Sequence, residues 1–249
     1  MKIDWEYVLK PLGYVCIAMS LLSILQRFGI RQFSYSYSAN PGLLGNSTDS
    51  AMYIVAISPF LLLHKKGWIL FIIPIIAIVM LNSASAVLGI FSVIIAYFLI
   101  KQYHIRLIGF LGLSVTGALI WFDKATEFFS PETKLTIWSR AITDWKDFAW
   151  FGSGLGNFYG TYKIGAITYN MHNHYLYILY TLGVFGLFFL LWWLVPLLKK
   201  NEAILPYVSL IAVLVMAAFS MPMRVYAIVI LTGINLGILG GKYESRRNS

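Results

Sequence analysis

Apolar runs of membrane-spanning length recur from one end of this chain to the other, and nearly all charged residues fall in the gaps between them. A stretch of about 20 apolar residues is long enough to cross a bilayer as a helix. Eight such runs can be marked between charges, at residues 11–25, 43–63, 67–81, 84–100, 105–122, 175–198, 203–219 and 225–239. The runs at 67–81 and 225–239 are short, so their polar flanks must snorkel or the segments must be partly re-entrant. Pro59, Pro74 and Pro196 fall inside runs, which neighbouring helices tolerate by satisfying the freed carbonyls. With 59% hydrophobic and 12% charged residues, a soluble single α-domain is excluded. The expected fold is all-α: a polytopic membrane helix bundle of about eight spans, forming a single membrane domain over residues 1–249.

A net charge of +9 in a soluble chain suggests nucleic acid, but here the basic residues flank spans. Lys65 and Lys66, Lys101, and Lys199 and Lys200 sit in short connections, and Lys242, Arg246 and Arg247 follow the last run. That is the positive-inside pattern, and it places both termini in the cytoplasm beside anionic headgroups. Membrane lipids are therefore expected partners, and nucleic acid is not. The first run has no small-residue cleavage pattern after it and reads as an uncleaved span. Cys16, the single cysteine, can form neither an internal disulfide nor a thiolate metal site.

This orientation puts residues 123–173 outside, a large extracytoplasmic loop too long to be a simple connector. Within it Ser130, Pro131 and Glu132 can start a helix. Leu135, Trp138, Ile142, Trp145 and Ala149 then repeat at spacings of three and four, the stripe of an amphipathic helix lying on the membrane or against the bundle. Lys134 shares that face, whereas Arg140 lies about 120° away and meets solvent. Gly152, Gly154 and Gly156 follow at alternate positions, where the missing Cβ permits sharp turns and close approach to a ligand.

The loop ends in His172-Asn173-His174-Tyr175-Leu176 as the chain re-enters an apolar run. A histidine at such a mouth can hold or move a proton near working pH. The same cluster also suits an interfacial anchor, and both readings stay open on the residues alone. His172 and His174 provide too few ligands for a metal, so no metal site and no cofactor is expected.

Four segments together resemble the O-antigen ligase and polymerase family of membrane glycosyltransferases. They are Gly42-Leu43-Leu44-Gly45-Asn46, residues 83–89, residues 138–158 and residues 172–186. The resemblance implies a polyprenyl-diphosphate-linked glycan as donor and a glycan or lipid-linked glycan as acceptor. It also implies a site facing the periplasm from the bacterial cytoplasmic membrane, and His172 as the catalytic base. Lys134 stands where such enzymes usually carry Arg, Ala84 where an Arg commonly follows the serine, and Thr181 where an acidic residue often precedes the glycines. Lys134 then takes the diphosphate role, and Arg31 or Arg224 supplies the charge missing at Ala84. Asn46, Arg140, Asn173 and His174 complete the expected substrate-binding set, with His174 the rival base. The alternative from another class is a non-catalytic membrane protein, either a transporter or a degenerate family member. Transport calls for ionisable groups within spans, and the runs hold few polar residues beyond Ser and Thr.

Overall fold

The computed structural model describes residues 5–30, 42–101, 134–155, 163–164, 167–168, 171–197 and 203–247. They are helical apart from two-residue strands at Lys163–Ile164 and Ile167–Thr168, which pair antiparallel with Lys163 opposite Thr168, and the turns that join these elements. The helices are α1 (Trp5–Arg27), α2 (Ser47–Ile57), α3 (Gly67–Leu70), α4 (Ile72–Met80), α5 (Ala84–Ile100), α6 (Lys134–Trp145), α7 (His174–Leu197), α8 (Ile204–Ala217) and α9 (Tyr226–Arg247). Two of these, α1 and α7, are long and apolar enough to cross a membrane by length and composition. The other apolar segments, α2 with its 3-10 extension, α3 with α4, α5, α8 and most of α9, are shorter. The expected span at 105–122 and the expected helix start at Ser130 lie outside the described residues.

The chain divides into two compact units. The first holds Met1–Ser114, Asn201–Met216 and Pro222–Ser249, and α2 is its centre. From Ser50 to Leu61 every residue but Tyr53 is buried, as a helix apolar on all faces requires. Helices α1, α4, α5 and α9 each pack against α2. Pro59 has no N–H for the α-helical ladder, and α2 tightens there into a 3-10 segment over Ser58–Leu63. Pro74 acts similarly on the next run, which is divided at Phe71 into α3 and α4. Gly89 of α5 lets two neighbours close in: a Cβ there would lie 2.7 Å from the Met216 side chain and 2.9 Å from that of Val55. A buried polar relay ties three helices: Asn235 Nδ2 donates to Ser209 Oγ at 2.9 Å, and that hydroxyl donates to the Ala56 carbonyl at 2.6 Å. Bonds of this kind join helices whose other contacts are apolar.

The second unit holds Val115–Lys200 and Ala217–Met221. Here α6 packs on the first half of α7 around Ile137, Ala141, Met171 and Tyr180, with Trp138, Trp145 and Phe148 at the margin. The expected stripe is turned by roughly one residue: Ile137 and Ala141 face inward while Ile142 is 42% exposed. Trp138 and Trp145 of the stripe still pack on this core, and the Trp138 indole N–H donates to the Met171 carbonyl at 2.7 Å.

Helix α7 is not continuous. Gly183 takes φ 68° and ψ −170°, a break inside the run. The turn after α6 closes it. Ser153 N–H donates to Tyr180 O at 2.9 Å and Gly154 N–H to Thr181 O at 3.0 Å. In return Val184 N–H donates to Ala149 O at 2.9 Å and Phe185 N–H to Trp150 O at 3.2 Å. The glycines thus bring two backbones together: a Cβ on Gly152 would lie 2.3 Å from the Thr181 carbonyl carbon, and one on Gly183 would lie 2.3 Å from Trp150 O.

Candidate functional site

The residues singled out from the sequence fall in both units. In the second, Asn173 is the N-terminal cap of α7: its Oδ1 accepts from Leu176 N–H at 3.0 Å, and its carbonyl accepts from Tyr177 N–H at 3.1 Å. The carboxamide oxygen is therefore committed to the helix start, where such side chains stabilise best. His172, one residue earlier, is exposed and has φ 50°. A non-glycine residue in this region is uncommon, although His tolerates it better than most. Its backbone is held between two anchors, the Met171 carbonyl bound by Trp138 and the Asn173 cap.

His174 is the first residue of α7 and is half-buried. Its ring tilts over Tyr177 at 5.9 Å between centroids, and its Nδ1 is buried with no hydrogen-bond partner among the described residues. The two imidazoles are thus separated by environment, one open and one enclosed. Lys134 opens α6, and Arg140, further along that helix, is exposed. Thr181, at the position where the resemblance points to an acidic residue, is buried and returns its hydroxyl to Tyr177 O at 2.7 Å.

In the first unit, Asn46 caps α2. Its Oδ1 accepts from Thr48 N–H at 2.8 Å and Asp49 N–H at 3.2 Å. The preceding turn is pinned from α1, with Gly42 N–H donating to Gln26 Oε1 at 2.8 Å. Arg224 ends the 3-10 turn Pro222–Arg224 and acts electrostatically on Asp49 in the first turn of α2. Its charge is therefore balanced in part within the protein. Sequence reasoning passes over Asp49, although a signal is present: it is the single charged residue in the run 43–63. Ala84, buried at the start of α5, is flanked by Ser83 and Ser85, whose hydroxyls meet at 3.3 Å. Arg31 lies outside the described residues. No three His, Cys, Asp or Glu side chains come together among the described residues.

Comparison with protein-family models, with curated proteins and with solved structures finds no match for this chain. The functional reading rests on these local arrangements.

The caps give a direct check on their assignment. Asn46→Ala removes the acceptor for two helix-start amides and is expected to lower stability by about 0.5–2 kcal/mol. Thermal unfolding of the purified protein measures it, with Asn46→Asp expected to stay near wild type.

Proposed function

We propose that the chain is a polytopic membrane glycosyltransferase of about eight spans, similar in kind to the O-antigen ligases and polymerases, acting from the bacterial cytoplasmic membrane toward the periplasm. The observation that supports this reading best is His172, an exposed imidazole in left-handed backbone directly before the capped start of an apolar helix. Unusual backbone at a polar side chain is a pointer to function when the surroundings hold it in place, and Trp138 and Asn173 do so here.

In the proposed reaction His172 takes the proton of an acceptor hydroxyl as its oxygen attacks the anomeric carbon of the donor glycan. A new glycosidic bond forms, the bond from that carbon to the diphosphate breaks, and polyprenyl diphosphate leaves with the charge. Cationic groups stabilise that charge. Lys134 and Arg140 on α6 fill this role, in the same unit as His172. Lys134→Arg is expected to keep transfer, and Lys134→Ala to lower it by about 10²-fold, the scale of losing one stabilising donor. The assay is transfer in membranes at matched expression.

Lipid analysis of cells lacking the protein tests the reading as a whole. Unattached, capped glycan on the lipid carrier indicates ligation, and single-repeat glycan indicates polymerisation. Unchanged carrier-linked pools contradict both.

One feature favours the second reading, a non-catalytic transporter. Asn235 Oδ1 and Thr232 Oγ1, three residues apart on α9, are buried with no hydrogen-bond partner among the described residues. Buried polar groups within spans mark transport pathways, and unchanged glycan pools would turn attention there.

A further inference from the structure

The break in α7 and the turn that closes it carry an inference about membrane depth that does not depend on the transfer reading. Side chains of the turn point away from the protein: Trp150 is 63% exposed, Phe151 79% and Leu155 76%. The rings of Trp150 and Phe151 stand 5.6 and 5.2 Å from Phe185. This surface continues without interruption into the second half of α7, where Phe188, Phe189, Trp192 and Trp193 are also exposed. Only 17% of the apolar window of α7 is buried within the protein. A helix bare and apolar on nearly all sides needs a solvent that surrounds it, and lipid is that solvent.

A non-helical turn can enter hydrocarbon only if its backbone is satisfied internally. That condition is met where the turn meets the helix break. Gly152 N–H donates to Phe148 O at 2.8 Å, and the four bonds across the helix break occupy the amides of Ser153 and Gly154 and the carbonyls of Ala149 and Trp150. What the turn shows outward is aromatic and aliphatic, while Lys146 and Asp147, exposed just before it, limit how far it can sink.

We propose that residues 150–155 form a shallow membrane-inserted anchor, embedded in the phospholipid bilayer just beneath the headgroups. Lys199 and Lys200 follow α7 in the sequence and mark its other membrane boundary. Counting about 30 Å of hydrocarbon back from them at about 1.5 Å per residue reaches the neighbourhood of Leu179. Gly183 then lies about 6 Å inside the hydrocarbon, and the segment before the break, which His174 opens, lies on the headgroup side of it. The anchor therefore holds the His172 loop at the level where a lipid-linked phosphate sits.

The test uses the full chain in lipid nanodiscs. With Cys16→Ala removing the only cysteine, Phe151→Cys and Leu155→Cys are each labelled with an environment-sensitive fluorophore. Thr143→Cys on the exposed side of α6 is the control. The proposal expects blue-shifted emission at 151 and 155, quenched more strongly by lipid carrying a doxyl group near the headgroup than by lipid carrying it near the chain end. The control at 143 stays water-like. Water-like emission with iodide access at both 151 and 155 overturns the proposal by placing the turn in solvent. Shielding from both iodide and lipid quenchers also overturns it, by showing that protein covers the turn.

Discussion

His172→Ala and His172→Asn are each expected to lower glycan transfer by about 10²–10⁴-fold, the usual contribution of a positioned general base. The asparagine variant should unfold near the wild-type temperature, because the residue is exposed and its replacement opens no core. The asparagine variant matters because Asn adopts the left-handed region readily. It keeps the loop conformation that begins at φ 50° while removing the base. His174→Ala should behave in the opposite sense. Its ring packs over Tyr177 and is partly enclosed, so its loss should reduce stability and leave transfer per folded molecule close to wild type. Loss of transfer with His174→Ala alone moves the base to that position, and full transfer in both His172 variants removes it from His172.

The largest expected effect on stability is at Gly183. Valine there must adopt φ 68° with ψ −170°, a region essentially reserved for glycine, at a cost of about 1–3 kcal/mol. Its Cβ would also lie 2.3 Å from Trp150 O and 2.6 Å from Gly152 N. Both atoms are backbone and cannot swing aside, so the turn has to leave the helix break. Four backbone hydrogen bonds then open, each worth about 0.5–1.5 kcal/mol net. A total loss of about 4 kcal/mol or more is expected. Gly233→Ala is the control: nothing lies within 4 Å of its Cβ position, and an exposed helical Gly→Ala change is neutral or stabilising by up to about 1 kcal/mol. Thermal unfolding in detergent separates the two, and equal midpoints for Gly183→Val and wild type would contradict the role given to the break.

Hydropathy makes the helices legible because burial in lipid or core depends on each residue's own side chain. The runs at 43–63, 84–100 and 203–219 correspond to α2 with its 3-10 extension, α5 and α8. It cannot reveal the break at Gly183, since that break is stabilised by amides and carbonyls some thirty residues earlier. The same limit applies to α6: spacing alone cannot tell that Ile137 is buried while Ile142 is exposed. At the candidate site, His172 is legible from its residue type and its place before a span, while its backbone strain is not. Asn173 and Asn46 are expected from the sequence as substrate ligands, and the structure gives the side-chain oxygen of each to a helix start. Helix capping and ligand binding ask for the same residue types, so sequence alone cannot divide those roles.

Reconstitution tests the central claim most directly. Purified protein in liposomes is supplied with a polyprenyl-diphosphate-linked glycan and a glycan acceptor, and both lipid and acceptor products are followed by mass spectrometry. The account predicts that the acceptor gains the glycan and that one polyprenyl diphosphate is released for each transfer. Folded wild-type protein that leaves the lipid-linked donor intact with lipid-linked and glycan acceptors alike would contradict it.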